Sequence, residues 1–144
     1  IQLNRLNNVT IERAAVGEAE GSLELICTKG EELSWTASAT GYSLPGEGTR
    51  ISVPVVSLDG YLARSGLRPG LLKIDVEGAE LSVLEGARRT LNEIRPTILV
   101  EIHDLGENHR TSVLELLKEC RYRVTNLATR EREILCLAVP QPCS

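Results

Sequence analysis

Residues 71–102 carry a short apolar run, an amphipathic stretch and a second short apolar run, in that order. Leu71–Val76 (LLKIDV) reads as a strand that ends in Glu77-Gly78. Ala79–Ile94 reads as a helix, with Leu81, Leu84, Leu91 and Ile94 near helical spacing. Pro96 stops it, because a proline restricts the residue before it and cannot continue the ladder. Thr97–Ile102 (TILVEI) is a second strand, running into His103-Asp104. A strand, a helix and a strand in so few residues make a βαβ unit, and that commits the chain to an α/β sheet covered by helices.

The flanks extend the pattern. Arg110–Cys120 is amphipathic, with Val113, Leu116 and Leu117 inward. Tyr122–Leu127 and Glu133–Val139 read as two closing strands, an antiparallel pair across a turn at Ala128–Arg132. Upstream, Ile1–Leu6 looks like the tail of a helix ending at Asn7-Asn8, and Val9–Val16 suits a strand. Ser22–Thr28 is another strand, and Arg50–Ser57 a further one, placed at an edge by Pro54. Between them Lys29–Thr49 reads as a long loop with Trp35 and Tyr42. Ser57-Leu58-Asp59 opens a short helix through Arg64, with Asp59 a natural cap near its start. The expected sheet is mainly parallel, with an antiparallel C-terminal strand pair, in one domain over residues 1–144.

Composition excludes several classes of protein. With 42% hydrophobic and 25% charged residues, the chain of 144 has a globular balance. No apolar run approaches the ~20 residues a membrane span requires. The net charge is −4, and the 16 basic residues are scattered rather than gathered in a stripe, which argues against nucleic acid as a partner. Cys27, Cys120, Cys136 and Cys143 form no C-x-x-C pair, and read as reduced thiols of a cytoplasmic protein, Cys136 in the core. The chain has no methionine and opens Ile1-Gln2-Leu3, so Ile1 is not expected to be a natural start.

Ligands of open α/β sheets bind beyond the carboxyl ends of the strands. Two strands here end in acids, at Asp75 and Glu77 and at Glu101 and His103. Glu101 and His103 share a face by alternation. With the strands adjacent, the four side chains gather at one rim, where they could bind a divalent metal through oxygen and imidazole, or supply a general base. The same residues have structural readings. Glu77 and Gly78 could start the next helix, Lys73 could neutralise Asp75 or Glu101, and His103 could be a solvated loop residue. His109, in the polar stretch GENHR, is expected in solvent. No G-x-G-x-x-G, P-loop or G-x-S-x-G pattern is present.

Leu72-Lys73-Ile74-Asp75-Val76-Glu77-Gly78-Ala79-Glu80, followed by Val83-Leu84-Glu85-Gly86-Ala87, closely resembles the signature of the FkbM-type methyltransferase family. Val53–Asp59 resembles the segment before the family's short helix, and Arg95–His103 its next strand. Leu3-Asn4, Asn8–Thr10 and Ala14–Gly17 resemble the helix and strand that precede them. The resemblance covers nearly the whole chain in order, and the KIDVEGAE block is its specific part.

It implies a Rossmann-like methyltransferase sheet and transfer of a methyl group from S-adenosylmethionine to a hydroxyl on a small molecule, sugar or lipid. The family's glycine-rich loop and its ribose-binding acid would lie upstream of Ile1, in two βα units of ~30 residues each. Carried over, Asp75 lies beside the methyl donor and Glu77 is the block's second acid. Glu101 and His103 form the rim of the next strand, and Ala15 and Val16 lie beside the adenine. By analogy with metal-dependent O-methyltransferases, Asp75, Glu101 and His103 are the candidates for a divalent ion such as Mg²⁺. A chain short of its first strands would bind the donor weakly and self-associate through the exposed edge of the Asp75 strand. Two other readings stand beside this one: an inactive fragment serving at most as an interaction module, and a metal-dependent hydrolase, for which no motif matches.

Overall fold

The computed structural model describes residues 6–28, 48–104 and 107–142. Most of the expected loop, with Trp35 and Tyr42, lies outside them, as do Ile1–Arg5 and Cys143. The described strands form two sheets. In the first, β1 (Ala15–Val16) and β2 (Gly21–Thr28) flank β3 (Gly48–Val56). After α1 (Leu58–Ser65) comes the second sheet. It consists of β4 (Leu71–Ile74), β5 (Thr97–His103), β6 (Tyr122–Arg130) and β7 (Glu133–Pro140), in the order β4-β5-β7-β6. Between β4 and β5 lie α2 (Glu80–Glu85) and a π-helical turn (Thr90–Ile94), and between β5 and β6 lies α3 (Glu107–Glu119).

The βαβ unit is as expected: β4 runs parallel to β5, with Leu71 opposite Thr97 and Ile74 opposite Val100. The sheet as a whole is not mainly parallel. Among the described residues only β4·β5 and β1·β3 pair parallel, whereas β2·β3, β5·β7 and β6·β7 are antiparallel. The cause is the C-terminal hairpin, whose second strand β7 inserts between β5 and β6 and so turns two interfaces antiparallel at once. The hairpin is also tighter than expected, its strands running to Arg130 and from Glu133.

Two upstream expectations change. Val9–Val16 shortens to Ala15–Val16, because only these two residues reach a partner strand, at Val55 and Val56. Val9 and Ile11 are exposed instead. β3 is a middle strand rather than an edge. Pro54 is tolerated there because β1 covers only Val55 and Val56, so the strand keeps one described partner, Ser22 of β2, at the proline itself.

The core lies on the helix-covered face of the second sheet. Ile98, Val100 and Ile102 alternate inward on β5, facing Ala138, Cys136 and Ile134 of β7 row by row. Val83, Leu84, Ala87 and Leu91 cover them from the α2 segment, and Val113, Leu116 and Leu117 from α3. Cys120 and Cys136 are free and buried, as expected for Cys136. The single helix expected over 79–94 is broken at Gly86-Ala87. A Cβ at Gly86 would overlap the carbonyl oxygen of Gly17, so this glycine lets the end of β1 pack directly on the helix. Asp59 repairs the break. Its carboxylate accepts from the Arg89 and Thr90 N–H groups at 2.8 and 2.7 Å and from Thr90 Oγ1 at 2.6 Å. Asp59 therefore caps a helical segment thirty residues away, and its own helix is capped by Ser57, whose Oγ accepts from Gly60 N–H.

Candidate functional site

The carboxyl ends of β4 and β5 meet at one rim, because the two strands are parallel neighbours. Past Ile74 the chain leaves the sheet through Asp75 and Val76 and turns sharply. Glu77 and Gly78 both take positive φ, 48° and 102°. The conformation is unremarkable for Gly78 but costs energy at Glu77, and strained backbone of this kind collects where side chains must be aimed. The turn delivers the chain to α2, whose first residue is Glu80.

Glu80 is fully buried, one of the two buried polar residues among those described. Its Oε1 accepts from Gly78 N–H at 2.8 Å and lies 2.7 Å from His103 Nδ1. Its Oε2 lies 2.7 Å from His109 Nε2. Burial pushes this carboxyl up, but the Gly78 N–H and the two imidazoles outweigh burial and hold it below its ordinary value. Burial pulls His103 down. The hydrogen bond to Glu80, and the negative charges of Glu80, Glu77 and Glu133, outweigh that and raise it. Both histidines of the chain are thus spent on one carboxylate.

The remaining ring nitrogen of His103, Nε2, faces outward. It stands 3.4 Å from Glu77 Oε2 and 3.4 Å from Glu133 Oε2. Asp75, Glu77 and His103 each offer one ligand atom, and the three atoms lie within 4.8 Å of one another. Glu101 does share a face with His103, but it points at Lys73, whose Nζ is 2.5 Å from Glu101 Oε1 and 3.2 Å from Asp75 Oδ2.

Of the residues expected at the site, Asp75, Glu77 and His103 come together. Glu101 is neutralised beside them. Ala15 and Val16 stand apart in the other sheet, where the following Gly17 and Glu18 bond to Val56 and to Ser82 of α2. One alternative is closed and one expectation overturned. His103 is not a solvated loop residue, since it ends β5 with its side chain 12% exposed. His109 is not in solvent either: α3 begins at Glu107, and its first turn carries the imidazole inward onto Glu80. Glu80 itself had no expected role. The signal for it was present, because Glu80, Val83, Leu84, Ala87 and Leu91 follow the spacing of one buried helix face, with a carboxylate in the first place.

Such an arrangement can hold a cation, or take a proton at Nε2 with the ring orientation fixed from behind. The donor set also suits a cationic organic ligand, since the Asp75 and Glu77 side chains are 46% and 59% exposed. No helix among the described residues is long and apolar enough to cross a membrane.

No curated protein and no solved structure matches the chain. The Methyltransferase FkbM domain matches it over residues 1–124, which takes in both strand ends, the KIDVEGAE turn, Glu80 and both histidines. The chain belongs to the FkbM methyltransferase family.

Proposed function

We propose that the protein transfers a methyl group from S-adenosylmethionine to a hydroxyl oxygen of a small molecule, sugar or lipid. The observation that carries this reading is the fixed imidazole of His103, its Nδ1 on buried Glu80 and its Nε2 open toward Glu77 at the ends of two parallel strands. When bound, S-adenosylmethionine supplies an electrophilic methyl group on a sulfonium. A neutral hydroxyl is a poor nucleophile, so the protein must remove its proton or weaken the O–H bond. His103 Nε2 is the atom that takes this proton when no cation holds it. Glu80 sets the ring, and stabilises the imidazolium that forms. Asp75 and Glu77 would face the positive sulfonium side of the donor, and Ala15 and Val16 the adenine. Nothing else is asked of the protein than orientation and charge.

Two lesser readings accompany this one. β4 is an edge strand among the described residues, and Leu71 on it is 61% exposed, which supports self-association through that edge. The two unpaired buried thiols support a cytoplasmic setting.

The test is methyl transfer from labelled S-adenosylmethionine to a panel of hydroxyl acceptors. It is run on this chain. Asp75→Asn and His103→Ala should each remove most of the activity, with the fold retained. Glu101→Gln should lower it less, because Glu101 is held by Lys73. Wild-type turnover in both of the first two variants would sink the assignment.

A further inference from the structure

We propose that Asp75, Glu77 and His103 form a binding site for one divalent first-row transition ion, with Mn²⁺ preferred over Mg²⁺. Glu80 Oε1 already accepts from Gly78 N–H and lies 2.7 Å from His103 Nδ1, so the hydrogen between them is placed on Nδ1. In the neutral ring Nε2 is then a lone pair. That lone pair faces two carboxylate oxygens, Glu77 Oε2 and Glu133 Oε2, each at 3.4 Å. Three acceptor atoms at that distance make a place for a positive charge.

The neighbouring cations lie on other atoms of the same cluster and not at Nε2. Lys73 Nζ lies on Asp75 and Glu101, and Arg130 Nη1 on Glu133 Oε1 and near Glu101. What Nε2 meets is therefore a proton of its own or a metal ion. The surroundings favour the ion. Ligating histidines characteristically place their second ring N–H on a carboxylate, which fixes the ring and makes the free nitrogen a better donor. Here that carboxylate is Glu80, itself locked by Gly78 N–H and His109. Asp75 keeps a carboxylate oxygen beyond the one on Lys73, and its side chain and that of Glu77 open to solvent, giving the ion an entry path and free coordination positions. Two carboxylate oxygens would suit Mg²⁺ or Mn²⁺ alike, but an imidazole donor shifts the choice to the first-row ion.

The site is defined by this chain's own side chains and needs neither methyl donor nor acceptor. Its failure and the failure of the methyl-transfer reading are therefore separate results. MnCl₂ is titrated into the 144-residue chain at about pH 8, on the alkaline side of the imidazole range, and free Mn²⁺ is followed by electron paramagnetic resonance. MgCl₂ is then added as competitor. One Mn²⁺ should bind per chain, and Mg²⁺ should displace it only at tenfold or greater excess. Glu77→Gln, at an exposed position that leaves the core intact, and His103→Gln should each weaken Mn²⁺ at least tenfold. Glu115→Gln, on the exposed face of α3, should leave it unchanged. The absence of saturable binding at that pH would overturn the site and make a proton the cation at Nε2. Equal affinities in Glu77→Gln and Glu115→Gln would overturn the ligand set, and Mg²⁺ competing on equal terms would overturn the preference.

Discussion

Two polar clusters sit at the same end of the same sheet. One is Lys73 with Asp75 and Glu101, bridging β4 and β5 in contact with water. The other is Glu80 with His103 and His109, bridging α2, β5 and α3 with Glu80 fully out of water. Each has one charge shared by two partners at hydrogen-bond distance. Solvent separates their consequences. Around Lys73 water screens the attraction and would take over if the pair were broken. Around Glu80 the carboxylate is out of water, so the two imidazoles, the Gly78 N–H and its own backbone N–H take the place of solvent. The exposed cluster decorates the rim; the buried one determines where the rim's side chains point.

The largest expected effect tests that contrast directly. Glu80→Ala leaves two half-buried imidazoles facing a void, and breaking a buried ion pair on one side costs about 3–5 kcal/mol. Urea unfolding should show a loss of that order, with an unchanged slope. A loss below about 1 kcal/mol would put Glu80 in the same class as Lys73 and end the comparison. Next in size is the coupling between the two histidines. His103→Gln and His109→Gln act on opposite oxygens of one carboxylate, so the double variant should depart from additivity by about 0.5–3 kcal/mol. Additive losses would mean that Glu80 holds each ring independently.

The acidity of the cluster gives a pH signature. Glu80 is held below its ordinary 4.5, so its contribution is complete above that value and is lost as pH falls through the lower folded-state value. His103 is raised above its ordinary 6.5, so its contribution is complete below 6.5 and is lost as pH rises through the higher folded-state value. Stability from the pair should therefore form a plateau between 4.5 and 6.5 and fall on both sides. His103→Gln should remove the alkaline fall and keep the acidic one. Urea midpoints across the range test both limbs, and an alkaline limb that persists in His103→Gln would assign it to another group.

Much of this was legible in the sequence, and the part that was not has a common cause. The βαβ unit, α3 and the closing hairpin follow from apolar periodicity, a local property, and the structure returns them with boundaries shifted by a few residues. The KIDVEGAE block was legible as chemistry, since Asp75, Glu77 and His103 do meet. What periodicity does not show is which polar residue satisfies a distant backbone. Asp59 looked like a local cap, and instead repairs the helix break that Gly86 makes for Gly17. His109 looked solvated because its neighbours in sequence are polar, yet its partner is Glu80, brought near only when α2 and α3 pack together. Glu101 looked like a ligand because alternation put it beside His103, and of the two readings weighed for it the structure returns the other, neutralisation by Lys73 of the neighbouring strand. In each case the deciding contact is long-range and polar, whereas the sequence pattern is short-range and apolar.

The smallest expected effect is the counterpart of the first. Lys73 joins β4 to β5 through Glu101 and to the rim through Asp75, and its removal looks damaging on a contact map. Its side chain is 42% exposed and that of Asp75 is 46% exposed, so water is ready to replace the ammonium there, while Glu101, 19% exposed, keeps Arg130 Nη1 at 4.0 Å. Lys73→Met keeps an unbranched stem while it deletes the charge. The expected loss is within about 1 kcal/mol, and smaller still in high salt, where the wild-type pair is already screened. The substitution should also free Asp75 and Glu101 as acceptors, so the variant should bind Mn²⁺ at least as tightly as the parent. A loss comparable with that of Glu80→Ala, independent of salt, would show that the rim's exposed charges hold the two parallel strands together. The division drawn here between solvated and buried clusters would then fail at the exposed end.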